Sequence, residues 1–150
     1  MDIYTLKEMI KTHEGYSNVQ YKCPAGHVTI GWGHNCDANP LPEDILIYLR
    51  TKGFIAPSHS ERLLDMDISI ALSACRRLFP EFGSFEENRQ IALVDWVFQL
   101  GEGTARKFVK TIAAINARQW EDAAKEMIRS EWAKQTPKRA QEISDMIEEG

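Results

Sequence analysis

The chain reads as an α+β protein of two lobes: a small antiparallel sheet near the N-terminus, a long linking helix and an all-helical C-terminal part. Three observations carry this reading. Turn residues at Pro24-Ala25-Gly26 separate two short β-prone runs. A helical pattern runs from about Ser58 to Phe79 and stops at Pro80. Beyond Glu86, apolar residues recur at helical spacing.

Each element has a local reason. Leu6, Met9, Ile10 and His13 share one helical face, and Thr5-Leu6-Lys7-Glu8 matches a capping box. Gly15 suits a left-handed terminator, which puts Glu14 at the helix C-terminus. Asn18 to Lys22 and Val28 to Trp32 read as paired strands, and Gly53-Phe54-Ile55-Ala56 as a third short one. Ser58 and Glu61 form a second capping box, and a helix of ~20 residues from there spans ~30 Å, enough to link two lobes. Further helices are expected near Glu86–Leu100, Ala105–Ala117 and Trp120–Ser130. A last one begins at Thr136-Pro137, with a hydroxyl cap and proline at the first helical position. The expected organisation is a single domain. Its sheet-bearing lobe covers about 14–57, its linking helix about 58–79, and its helical lobe about 80–150 together with the first helix, 2–13.

Composition narrows the function classes. With 150 residues, 43% hydrophobic and 27% charged, the chain can bury a core without staples. A net charge of −4 gives no electrostatic footprint for nucleic acid. No apolar run approaches the ~20 residues of a membrane span, and the charged opening Met1 to Glu8 does not resemble a secretory signal. Three cysteines without a CxxC pair point to free thiols in a reducing compartment.

Chemistry concentrates between Glu14 and His34. The negative end of a helix dipole disfavours an ionised Glu14, and a carboxyl kept protonated near neutrality is what a general acid requires. A solvated glutamate ending a helix is the bland alternative. Cys23 lies nine residues after Glu14 and six before Thr29. It is either a small hydrophobe or, beside Pro24, a functional thiol. Thr29 either reflects β-propensity or holds a water through its hydroxyl. Gly31 and Gly33 flank Trp32, and strand glycines often mark close approach of a ligand or backbone. Trp32 reads as a packing residue. His34 is a ligand, a base or an ion-pair partner, with Asp67 as a plausible mate.

Glu14-Gly15, Tyr21-Lys22-Cys23-Pro24-Ala25-Gly26 and Thr29-Ile30-Gly31-Trp32-Gly33-His34 together resemble the N-terminal signature of phage lysozymes of glycoside hydrolase family 24. The likeness continues at Trp96 to Glu102, at Arg118 to Ala124, and from Ser130-Glu131-Trp132 through Gln135 to Ala140. It implies a two-lobed lysozyme-like fold with a cleft between the lobes. The implied reaction is inverting hydrolysis of the β-1,4 bond between N-acetylmuramic acid and N-acetylglucosamine in peptidoglycan. The same resemblance makes Glu14 the general acid, puts Cys23 in the second catalytic position, and has Thr29 position the attacking water. It places Phe98, Gln99 and Thr111 along the saccharide cleft, pairs Arg139 with the catalytic acid, and joins His34 to Asp67 structurally. It implies a monomeric endolysin with no cofactor and no stable membrane association. That protein accumulates in the host cytoplasm until a holin opens the inner membrane.

Cys23 is the departure that matters. One branch of the family carries aspartate there, and another reads Cys-Pro-Ala-Gly as here. An ionised Glu14 nearby is expected to push the thiol above ~8.5. A neutral thiol would hold water weakly, whereas a thiolate could assist attack on the anomeric carbon. Three rival readings remain: a zinc site from Cys23, His27, His34 and Cys36, a cysteine-dependent amidase or peptidase, and a non-catalytic peptidoglycan-binding module.

Overall fold

The structure, a computed structural model, describes residues 1–150. The chain forms two compact units, Lys7–Ile68 and Met1–Leu6 with Ser69–Gly150. The boundaries fall inside two helices, α1 (Ile3–Glu14) and α3 (Pro57–Leu78). Most of α1 therefore belongs with the sheet, whereas the sequence placed the whole of it with the helical part.

The caps at both helix starts differ from the sequence expectation. Asp2, not Thr5, caps α1: its Oδ1 accepts from the Thr5 amide at 3.2 Å and its Oδ2 from the Thr5 hydroxyl at 2.7 Å. At α3 the proline occupies the first turn, and His59 Nδ1 accepts from the Ala56 amide at 3.1 Å. Ser58 lies inside that turn, and Glu61 is engaged by Lys7 at 2.9 Å and Lys11 at 2.7 Å.

In the sheet-bearing unit, β1 (Ser17–Lys22) pairs antiparallel with β2 (Val28–Gly31), and β2 pairs with β3 (His34–Asn35). Tyr21 stands opposite Thr29 and Ile30 opposite His34, with a bulge in β1 between Ser17 and Tyr21. The third strand is thus His34–Asn35. Residues 53–56 form none, because Gly53 turns left-handed at φ 84° to end α2 (Glu43–Lys52). A single bond from the Ile55 amide to the Asn18 carbonyl, 2.9 Å, ties that segment to β1. One apolar cluster of this unit joins Ile30, Ile45, Ile55 and Leu63, flanked by Cys36, Leu41 and Leu49, and Ile10, Leu64 and Ile68 are buried as well.

The helical unit has a continuous core. Residues 91–97 of α4 (Glu87–Leu100) are all buried. The run expected at Ala105–Ala117 breaks into α5 (Glu102–Ala105) and α6 (Val109–Asn116). Then follow α7 (Trp120–Ile128), α8 (Glu131–Gln135) and α9 (Pro137–Glu149), and α9 packs on α4, α7 and α8. Thr136 does not cap α9 through its side chain. Its hydroxyl instead donates to the Trp132 carbonyl at 3.0 Å. Buried Arg89 secures the far end of α9, donating to the carbonyls of Ile147 at 2.7 Å and Glu148 at 2.9 Å.

Candidate functional site

The β1–β2 connection builds the local geometry around Cys23. The Cys23 amide donates to the His27 carbonyl at 3.0 Å, and the Gly26 amide to the Cys23 carbonyl at 2.8 Å. Gly26 sits at φ 85°, the left-handed position that such hairpin loops require. The same His27 carbonyl accepts from the buried Thr29 hydroxyl at 2.9 Å. While its proton goes to that carbonyl, the Thr29 oxygen keeps lone pairs to accept from another group.

The thiol behaves differently from the sequence expectation. Burial pushes Cys23 up, but amides of His27, Ala25 and Gly26, together with the Thr29 hydroxyl, stabilise the thiolate. The balance holds it below the ordinary cysteine value. The rise expected from Glu14 does not occur: the donors of the loop outweigh burial. Thr29 has one hydroxyl proton, so donation to the thiolate and donation to His27 exclude each other. Cys36 and Cys75 are also free thiols, and burial pushes both up.

Glu14 ends α1, half-buried, and its side chain lies flat against Gly33. A Cβ built on Gly33 would fall 2.5 Å from Glu14 Oε2 and 2.6 Å from its Cδ. Tyr21, opposite Thr29, reports on both acidic groups. Burial first, then the charges of Glu14 and Cys23, raise its phenol. The charges of Glu14 and Cys23 both reach Tyr21, the strand partner of Thr29, and sequence reasoning assigned Tyr21 no role.

His34 is buried, with Nδ1 2.8 Å from Asp67 Oδ2 and Nε2 2.8 Å from the Asn39 carbonyl. A carbonyl only accepts, so Nε2 carries a proton, and an imidazolium satisfies both partners. Burial lowers the His34 pKa, but hydrogen bonding and charge from Asp67, with the Asn39 carbonyl, outweigh it and raise the value. The zinc reading fails here: His34 has spent both ring nitrogens, and no group of three His, Cys, Asp or Glu side chains is placed to hold a metal.

The remaining expected residues lie in the helical unit. Phe98 and Gln99 are half-buried near the end of α4, and Gln99 Oε1 accepts from the Trp132 indole at 2.8 Å. Thr111 is buried on α6, beside a groove of about 430 Å³ that Lys107, Phe108 and Arg129 also line. Phe98 and Gln99 do not line that groove. Buried Arg139 on α9 holds buried Asp95 of α4 through a 2.8 Å Nε–Oδ1 contact.

The family model for phage lysozymes matches residues 11–145. The chain belongs to the phage lysozyme family. It is a lysozyme-type hydrolase, and its small sheet, long helix and helical unit are the α+β fold expected of that family. Among its relatives are two proteins of Dictyostelium discoideum, "Probable T4-type lysozyme 2" and "Probable T4-type lysozyme 1". They are 31% and 30% identical to it over 99% of this chain and 96% of each relative. A third, "Peptidoglycan hydrolase gp36" of Pseudomonas phage phiKMV, is 27% identical over 93% of this chain and 15% of that longer protein. No helix of this family member is long and apolar enough to cross a membrane.

Proposed function

We propose that this lysozyme-like peptidoglycan hydrolase cleaves the β-1,4 bond between N-acetylmuramic acid and N-acetylglucosamine, acting as an endolysin in host cell lysis. In this reading Glu14 donates a proton to the glycosidic oxygen while water attacks the anomeric carbon from the opposite face. Cys23 and Thr29 accept hydrogen bonds from that water and orient it. Phe98, Gln99 and Thr111 contact the glycan from the helical unit, and Arg139 steadies the acid. The substrate is peptidoglycan, the working form a monomer, and the enzyme waits in the host cytoplasm until a holin releases it.

One observation carries the reading: the shared His27 carbonyl orders Thr29 beside a thiol held below its usual value, in the unit that also holds Glu14. A thiolate accepts hydrogen bonds far better than a thiol does, and the loop donors that lower the Cys23 pKa favour that form, in which the sulfur would hold a water. A thioglycosyl intermediate is the competing route, favoured by the same low thiol pKa. NMR of the first-formed product separates the two, since direct attack by water gives the α-anomer and a covalent adduct gives the β-anomer. Cys23→Asp is expected to keep substantial activity, and Cys23→Ala to lose about 100-fold in kcat, the low end of the range general for positioned proton-handling groups. New reducing ends without new amino groups would exclude the amidase and peptidase readings. Wall binding without any new ends would instead favour the binding module.

A further inference from the structure

We propose that Trp32 is a positioning residue for Glu14: held by Lys11 and Tyr16, it presses the Gly33 backbone against the Glu14 carboxyl and fixes its orientation. The inference rests on the reading of Glu14 as the acid.

The contact at issue is between side chain and backbone. A Cβ on Gly33 would lie within 2.9 Å of three successive Glu14 atoms, Cγ, Cδ and Oε2. Only glycine leaves room for the carboxyl there, so the Gly33 backbone is one wall of the space that the carboxyl occupies. Yet Gly31 and Gly33 sit at φ 66° and φ 72°, the conformation that glycine enters at least cost. Trp32, between them, is the one residue of this turn with a side chain to anchor it.

Its ring is held from two sides. Lys11 Nζ stands 4.3 Å from the ring centroid, and the Tyr16 ring lies 4.7 Å away, tilted by 49°. These anchors are themselves fixed. Lys11 pairs with Glu61 at 2.7 Å, and the Tyr16 hydroxyl is 2.9 Å from Oγ of fully buried Ser60. Ser60 also backs the other end of the turn, where a Cβ on Gly31 would meet its Cβ at 3.9 Å. Lys11 and Tyr16 bracket Glu14 in sequence, three residues before and two after. The tryptophan therefore docks on the same stretch of backbone that carries the acid. A shift of the Gly33 wall relative to Glu14 would pull on both ring contacts.

Misplacing a reacting group by about 1 Å costs on the order of 100-fold in rate. Steady-state kinetics on solubilised peptidoglycan test the proposal, with Trp32→Ala, Trp32→Phe, Glu14→Gln and the double variant, each folded by circular dichroism. Trp32→Ala should lower kcat about 10- to 100-fold with KM within about twofold, and Trp32→Phe should recover most of the loss. In the Glu14→Gln background, Trp32→Ala should cost less than about twofold more, because its effect passes through the missing acid. A raised KM with unchanged kcat would make Trp32 a sugar contact and overturn the proposal. So would an undiminished loss in the double variant. If Trp32→Ala does not fold, Lys11→Met and Tyr16→Leu carry the same comparison, and additivity with Glu14→Gln overturns it there. Full activity of Glu14→Gln defeats the acid assignment itself. A slow Glu14→Gln beside a fully active Trp32→Ala defeats this inference alone.

Discussion

The two units of the molecule are held together by different physics. The helical unit relies on area: seven consecutive residues of α4 are buried, and Trp96 meets Phe108 and Trp132 edge-on at centroid distances of 5.2 and 6.5 Å. The sheet-bearing unit adds to its buried apolar residues a dense set of directional contacts. These are His34 with Asp67, Lys7 and Lys11 with Glu61, the shared His27 carbonyl, and Tyr16 with Ser60. Apolar packing is non-directional and tolerates small shifts of side chains. Hydrogen bonds and ring contacts set angles as well as distances. Most groups proposed for the chemistry lie where direction, more than area, determines position.

That contrast can be broken by experiment. The largest effect expected is from Glu14→Gln, which should cost about 10²- to 10⁴-fold in kcat while leaving the melting temperature nearly unchanged. A parallel collapse in stability would mean the carboxyl is structural. In the helical unit the expected pattern inverts. Asp95→Ala removes the buried carboxylate that holds Arg139 Nε and should lower unfolding free energy by about 3–5 kcal/mol, read by urea titration. A change below about 1 kcal/mol would show that the pair is not needed for that unit's stability.

The His34 contact sharpens the comparison through pH. Its pKa is raised on folding from the ordinary 6.5, so its stabilisation is complete below that value. It is lost as pH rises through the higher folded value. Asp67→Ala should remove this dependence and cost roughly 1.5–3 kcal/mol at low pH, as for hydrogen bonds to charged groups. Melting curves across that window in both proteins check it, and identical slopes would discard the linkage. The smallest effect expected is at Ser130, whose hydroxyl accepts from the Ala133 amide at 3.3 Å to cap α8. Ser130→Ala should cost about 1 kcal/mol by thermal melting with kcat unaltered.

What was legible in the sequence follows the same division. The helix at Pro57–Leu78 and those at Glu87–Leu100 and Trp120–Ile128 announce themselves through apolar periodicity, which the burial of a large core enforces. The helix at Glu43–Lys52 escaped because it buries one residue, Ile45, and so shows little periodicity. Its start after Pro42, acidic first turn, basic last turn and Gly53 were the available signals. The turn chemistry around Cys23 was readable, since Pro-Ala-Gly dictates a hairpin. The donors that converge on its sulfur were not, since three come from loop amides common to any sequence. Nor was the attachment of Trp32 to Lys11 and Tyr16, residues 21 and 16 positions away. Such contacts depend on how the turn lies against α1, which no local pattern encodes.

The contrast among the three cysteines has a practical result. Only Cys23 combines a lowered pKa with a place in a surface loop, whereas burial raises both Cys36 and Cys75. A mild alkylating reagent near neutral pH should therefore modify one sulfur per native molecule, and hydrolysis should fade in step with that single equivalent. The enzyme would then carry its own titrant: counting rapidly labelled sulfhydryls in a preparation counts its working molecules.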